Sequence, residues 1–386
     1  MSLFAIMFIV ISIVTLMLVV NWTYLVLVSR HTLRLSDSLA LSAVSGLLDE
    51  QVLSDSQTFP VTQAGDIAQA TSDITTPGTG FLALNNAAAG PTLRPTAAQL
   101  TITPARIDNA AAVVTAPGNF TTTPGPGEPY NTLVVEVMRA PNGLNPVELM
   151  FRGQGSDNTA KITSASYATL DSRVVGFRPL AAVRAPVAPL ALNNAAWFTT
   201  RANGMDDSQL PDGRFELDFT LLSTGGAGTA NSALISLNDL APFSPAAVAT
   251  QVTTGIGPAD VNGVTGTLGP LTAASPTLFD SEQTSPAGQV ALIAAAFNTV
   301  AASSNPRRAF PIYNGAFTDP SSIVGFIGAR IINADANDLG MGAGLQLRVR
   351  LQPDFIIHST VDTRRLFPGA TDVPENLYIH KIRLTR

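Results

Sequence analysis

The first 29 residues, MSLFAIMFIVISIVTLMLVVNWTYLVLVS, contain no charged side chain. A helix that crosses a bilayer needs roughly 20 predominantly apolar residues. The run exceeds that length, is too long for the apolar core of a signal peptide, and has neither a basic leading region nor a small-residue cleavage pattern. It reads as a retained transmembrane-type helix. The nearby basic residues, Arg30, His31 and Arg34, follow the run. Taken literally, the positive-inside rule then places the rest of the chain in the cytoplasm. A basic leader removed from ahead of Met1 would reverse that orientation.

No helix breaker follows the apolar run. The first glycine is Gly46 and the first proline Pro60, and both residue types are frequent from there on. A single helix from Leu3 to Leu53 is therefore expected, roughly 75 Å long at about 1.5 Å per residue. Only its first ~30 Å would fit in the hydrocarbon core of a bilayer. On a helical wheel, Arg34, Ser38, Ser42, Ser45 and Asp49 form a polar stripe. Leu35, Leu39, Ala43 and Leu47 lie opposite, flanked by Leu33, Ala40, Val44 and Leu48. So wide an apolar sector implies burial on most sides. The small residues Ser36, Ser38, Ala40, Ser42, Ala43, Ser45 and Gly46 allow close approach of other helices. The rod packs either on the chain's own body or in a bundle with copies of itself.

The remainder reads as strand-rich, giving an α+β chain: one long helix, then a mostly β body of two antiparallel lobes. The expected divisions are residues 1–55, 56–240 and 241–386. Residues 54–131 read as a linker leading into a β lobe, with a short strand at Leu100 to Ile102. Strands are expected at Leu133 to Met138, Val147 to Phe151 and Lys161 to Leu170. The stretch PDGRFELDFTLL predicts a turn at Asp212-Gly213, then alternation through Phe215, Leu217 and Phe219. Ser322 to Ile332, Gly344 to Gln352, Phe355 to Asp362 and Leu377 to Thr385 complete the strands. In GLQLRVRLQ, Leu345, Leu347, Val349 and Leu351 alternate with Gln346, Arg348, Arg350 and Gln352, the mark of a half-buried strand. One Ala-rich helix is expected over 286–303, capped by Ser285 with Pro286 in its first turn.

Little in the chain suggests catalysis. There is no cysteine, which removes thiol chemistry, disulfides and thiolate metal sites. No basic stripe offers a nucleic-acid surface. His358 and His380 fall in strand-like alternation and read as structural, and His31 lies at the membrane boundary. No nucleophile elbow, zinc-helix or phosphate-loop motif appears. Asn333, Asp335, Asn337 and Asp338 could offer oxygen ligands to Ca²⁺, but the loop lacks the glycine and glutamate spacing of a calcium hand. Asp206, Asp207 and Asp212 share that weakness, and both groups read as polar turn residues. No cofactor is expected. Asn119-Phe120-Thr121 is a glycosylation sequon.

A transmembrane run, its amphipathic continuation and a β-rich body together resemble a type IV pilin-like protein. The wording VVNWTYLVLVSRHTLRLSDSLALSAVSGL is similar to the N-terminal segment of TadE/TadG-like proteins of the Tad (tight adherence) pilus, with Asp37, Ala40 and Ala43 at the matching positions. NTLVVEVMRAPNGLNPVELMFRG and ITSASYATLDSRVVGFRPL resemble the region that follows the helix in large TadG-like proteins of planctomycete-type bacteria. The likeness covers residues 1–55 and about 131–190. One feature departs from it: major pilins resemble one another in a Glu at the fifth mature position, where this chain has Ala5, and no carboxylate precedes Asp37.

The resemblance implies a non-enzymatic subunit of a surface filament. The helix would rest in the inner membrane and then pack among copies of itself in the filament core, served by Tad-type assembly machinery. Leu35, Asp37, Leu39, Ala43 and Leu47, with Arg30 and Arg34 for charge pairing, are the expected helix-packing residues. The alternative is a membrane-anchored accessory protein or adhesin that does not polymerise.

Overall fold

The computed structural model describes residues 3–48, 53, 63–77, 79–88, 95–110, 114–115, 118–125, 128–141, 146–151, 159–203, 207–223, 230–235, 244–261, 268, 277–279, 281–282, 284–285, 287–315, 321–338, 345–363 and 375–385. The fold is α+β: a long apolar helix followed by a β-rich body. The chain forms two compact units. The first comprises Met1–Asp49, Pro60–Leu170 and Arg383–Arg386; the second comprises Glu50–Phe59 and Asp171–Ile382. The division therefore falls near residue 170 and not at 240. Residues 190–235 supply strands to the sheet that also holds 307–353, so they belong with the C-terminal part.

In the first unit, α1 spans Leu3–Ala43 and passes into a single 3₁₀ turn over Val44–Leu47. Leu48 is extended, with φ −73° and ψ 118°. The helix thus ends well short of Leu53, and residues 49–52 lie outside the described residues. Two features end it. A Cβ at Gly46 would stand 3.0 Å from the Ala70 Cα, so the next helix passes directly over the glycine backbone. The Leu47 carbonyl, one of the orphan acceptors of a helix end, accepts a hydrogen bond from Gln63 Nε2 at 2.9 Å. Gln63 also donates to the Tyr130 carbonyl and accepts from the Tyr130 amide.

The stretch expected to be a linker instead holds two helices, α2 (Ala64–Thr75) and α3 (Phe81–Ala88). Ala70 and Ile74 of α2 are fully buried. Strands β1 (Leu100–Ile107), β2 (Phe120–Thr121), β3 (Thr132–Arg139) and β6 (Ile162–Asp171) form an antiparallel sheet in the order β6-β3-β1-β2. A short hairpin joins β4 (Val147–Glu148) to β5 (Thr159–Ala160). The strand expected to reach Phe151 stops at Glu148.

α1 packs on β3. Leu133, Val135 and Val137 alternate on the buried face of β3, and their register partners on β6 are Ala168, Ser166 and Ser164. Those small side chains leave room beside the helix. The buried residues of the helix are Val28, Thr32, Leu35, Ser36, Leu39, Ala40 and Ala43. Their spacing of three and four is one face of a helix. The opposite side is open: Arg34 and Leu41 are exposed, and Ser38 and Ser42 are half-buried. The helix is covered on one face rather than on most sides.

The second unit is built on a nine-stranded sheet, and within the unit β7 (Val174–Phe177) pairs with the short strand Val361–Thr363. The nine-stranded sheet contains β8 (Leu190–Asn193), β9 (Leu217–Ser223), β10 (Ser232–Ile235), β11 (Thr277–Phe279), β12 (Ser281–Glu282), β13 (Thr284–Ser285), β14 (Arg307–Tyr313), β15 (Ser321–Asp338) and β16 (Leu345–Pro353). Two pairings are parallel, β8 with β14 and β9 with β13, so the lobe is mixed rather than antiparallel. A parallel neighbour needs a long crossover, and the chain between β8 and β14 supplies one that includes three helices. These are α4 (Asn194–Asn203), α5 (Pro245–Thr254) and α6 (Ala287–Ala301). α6 is the expected Ala-rich helix. Its expected cap Ser285 lies in β13, and Pro286 is outside the described residues. α2 to α5 carry weaker apolar patterns, and the sequence alone does not single them out.

Trp197, fully buried on α4, anchors the core, with Phe215 at 5.5 Å, Phe219 at 6.1 Å and Tyr378 at 5.9 Å between ring centroids. Arg308, also buried, closes the end of α5. It donates to the carbonyls of Val252 (3.1 Å) and Thr253 (3.0 Å), the acceptors left open at a helix C-terminus. Burial holds its guanidinium below the usual arginine range.

Candidate functional site: the exposed half of the long helix and its collar

α1 divides into two halves of opposite character. From Leu3 to Val19 every residue is exposed, including Phe4 at 81% and Phe8 at 72%. The most apolar part of the helix has a mean hydropathy of 3.1 and none of it is buried. That is long and apolar enough to cross a membrane, and its full exposure is unlike a soluble core helix. From Val28 onward one face of the helix is buried in its own unit. Folding alone cannot stabilise the first half in water, because no part of the described chain covers it.

A partial collar lies against one side of the junction of the two halves. Tyr24 and Leu25 pack on a small cluster of Val28, Val147 and Ile162. Asn21 Nδ2 donates to the Phe151 carbonyl at 3.0 Å, and the Phe151 amide donates to Asn21 Oδ1 at 3.0 Å. This reciprocal pair holds the segment after β4 against the helix. Trp22, Met150 and Phe151 around it are exposed at 68%, 60% and 38%. Arg30 and Arg34 lie further along the helix and are also exposed, and His31 is half-buried.

Deeper in the unit, the Ser166 hydroxyl donates to Asp37 Oδ1, and Ser36 Oγ and Ser166 Oγ share a hydrogen bond of 2.8 Å. Asp37 and Ser166 line an open pocket of about 210 Å³ together with Leu33, Ala165, Tyr167, Leu384 and Thr385. Thr385 Oγ1 also shares a hydrogen bond of 3.0 Å with Thr169 Oγ1.

Leu35, Leu39, Ala43 and Leu47, the expected packing residues, are buried at 6% or less within the chain's own unit. The first of the two packing arrangements accounts for them, and they are not a free face for another copy. Residues 3–27 offer the larger uncovered surface, and in the sequence only their apolar character marks them. Asn21 and Ser166 make contacts that the sequence reading does not reach. Asn21 carries the one usable signal: it is the first amide in an otherwise apolar run, and a polar side chain in such a run generally has a partner.

The calcium candidates do not form a loop. Asn333, Asp335, Asn337 and Asp338 lie on β15, and Asp335 pairs with Arg348 at 3.4 Å. The side chains of Asn337 and Asp338 lie outside the described residues. Asp207 accepts from the amides of Asp212 and Gly213, as a turn residue does, and Asp212 accepts from the Arg214 amide and from Gln352. Asp206 lies outside the described residues. Among the described residues no three acidic or histidine side chains are placed to hold a metal. The sequon residue Asn119 is buried, and its carboxamide exchanges hydrogen bonds with the Asn109 backbone, so it is closed to a glycan in the fold. His358 Nδ1 and the Thr360 hydroxyl share a hydrogen bond of 2.7 Å.

No family model, no curated protein and no solved structure matches the chain.

Proposed function

We infer that the chain is a non-enzymatic, membrane-anchored structural protein of the pilin-like type, a subunit of a Tad-type surface filament. The single observation that carries this reading is the division of α1. Residues 3–19 are wholly exposed and apolar, while Val28 to Leu47 are built into the first unit. A helix made this way fixes a folded body to something apolar that the chain itself does not supply. In the membrane that cover is lipid; in a filament it would be the same segment of neighbouring copies. Absence of charge along the segment suits both environments.

One observation favours the alternative, an anchored accessory protein or adhesin that does not polymerise. The small-residue face of Ser36, Ala40 and Ala43, which best suits close helix packing, is already used inside the subunit. On α1, the segment 3–27 is the apolar surface that remains for contact between copies, beside the open polar side around Arg30, Arg34 and Ser38.

Shearing cells, pelleting the released material and imaging it separates the two, with the chain identified in the pellet and its N-terminal residue read by mass spectrometry. Regular fibres containing a chain that begins at Met1 support the filament subunit. Recovery only with membranes, with a basic leader still attached, overturns it in favour of the anchored protein.

A further inference from the structure

We propose that Met150 and Phe151 form a second membrane contact, entering the headgroup boundary of the bilayer beside Trp22. This rests on the reading of α1 as a membrane anchor. Leu3 to Val20 is about 27 Å of helix at ~1.5 Å per residue, close to the ~30 Å of a hydrocarbon core. With that segment in the core, Asn21 and Trp22 lie at the interface, where tryptophan is favoured. The Asn21 carboxamide ties both backbone groups of Phe151 to the helix at that level, at 3.0 Å each.

The tie matters for more than position. An irregular segment enters a region poor in water only if its backbone polar groups have partners. The Asn21 side chain satisfies the N–H and the C=O of Phe151 together, and Phe151 satisfies both ends of the amide. Past the exposed Glu148 at the end of β4, the described residues that the segment turns outward are apolar: Met150 and Phe151, exposed at 60% and 38%, level with the exposed Trp22. A second copy of the chain is the other candidate occupant. Satisfaction of the Phe151 backbone by Asn21 and the match in depth with Trp22 favour lipid.

The full chain has two tryptophans, Trp22 and the fully buried Trp197, so tryptophan fluorescence reads the interface directly. The chain is reconstituted in phosphatidylcholine vesicles whose acyl chains carry bromine near the headgroup. In wild type, Trp22 reports whether α1 is anchored. In Trp22→Phe/Phe151→Trp, and separately in Trp22→Phe/Met150→Trp, the new indole reports the collar. The new indole is expected to shift to the blue and to lose emission to the interfacial quencher to the same extent as Trp22 in wild type. Quenching of Trp22 without quenching of either new indole overturns the second contact and leaves the anchor standing. A blue shift that grows with protein-to-lipid ratio without lipid quenching assigns the surface to a second copy, and also overturns it. Absence of quenching at Trp22 itself sinks the anchor and the proposal together.

Discussion

Asp37 on the long helix and Ser166 on β6 are joined directly: the serine hydroxyl donates to Asp37 Oδ1 and also shares a 2.8 Å hydrogen bond with Ser36. The first carboxylate of the chain thus serves to seat the helix against its own sheet. A hydrogen bond to a charged acceptor contributes more than a neutral one, about 1.5–3 kcal/mol. Ser166→Ala is expected to destabilise the first unit by roughly 2 kcal/mol on that basis. Urea unfolding of the full chain in detergent micelles measures it. Asp37→Ala and the double variant complete a cycle. If the two single losses simply add, the contact is incidental and the helix is seated by apolar packing alone.

Gly255 and Gly213 make a paired test of where glycine is needed. Both have positive φ, +77° and +79°. A Cβ at Gly255 would stand 2.4 Å from the Ala185 carbonyl oxygen, whereas at Gly213 it meets nothing within 4 Å. Gly213→Ala therefore carries only the left-handed penalty, about 1–2 kcal/mol. Gly255→Ala adds a clash with backbone and should lose at least ~3 kcal/mol. Comparable losses for the two in thermal unfolding would show that the Ala185 backbone can move aside.

The apolar run and the stripe of Leu35, Leu39, Ala43 and Leu47 are legible in the sequence because a period of three and four has one explanation. The alternation of β16 is legible for the same reason. The end of α1 is not. It depends on Gln63 reaching the Leu47 carbonyl and on α2 crossing at Gly46, contacts made by residues whose local pattern is weak. The inward face of β6 is hidden because Ser164, Ser166 and Ala168 are buried without being strongly apolar. The collar is hidden because it joins residues 130 positions apart through backbone groups, which leave no side-chain signature.

Glu216 has a fully buried side chain and Arg350 donates to it at 3.0 Å, while the amides of Gln209 and Leu210 donate to the same carboxylate. Arg350 also forks onto Asp218 at 2.8 and 3.1 Å. Removing one partner of a buried ion pair leaves an uncompensated charge and generally costs about 3–5 kcal/mol. Arg350→Ala should fall in that range, and Arg350→Ala/Glu216→Gln should recover part of it. If the double variant is no more stable than the single one in chemical denaturation, the carboxylate is held by the loop amides and not by the arginine.

His380 gives the second unit a dependence on acid. It is wholly buried, with Nε2 donating to the Leu377 carbonyl at 3.3 Å and Nδ1 without a partner. Burial lowers its pKa from 6.5 to about 4, with the Leu377 hydrogen bond opposing only in part. The folded state therefore favours the neutral ring. Its contribution is fully present above pH 6.5 and is lost as the pH falls from there through about 4. Each tenfold drop in proton affinity is worth ~1.4 kcal/mol, which makes the whole loss roughly 3 kcal/mol. His358, whose pKa burial also lowers, acts with the same sign. His380→Leu keeps the bulk and removes the titration. Its unfolding free energy should fall less than that of wild type between about pH 7.5 and 4.5, by roughly 2–3 kcal/mol. Parallel pH profiles for the two proteins would mean that His380 becomes charged in the fold without penalty.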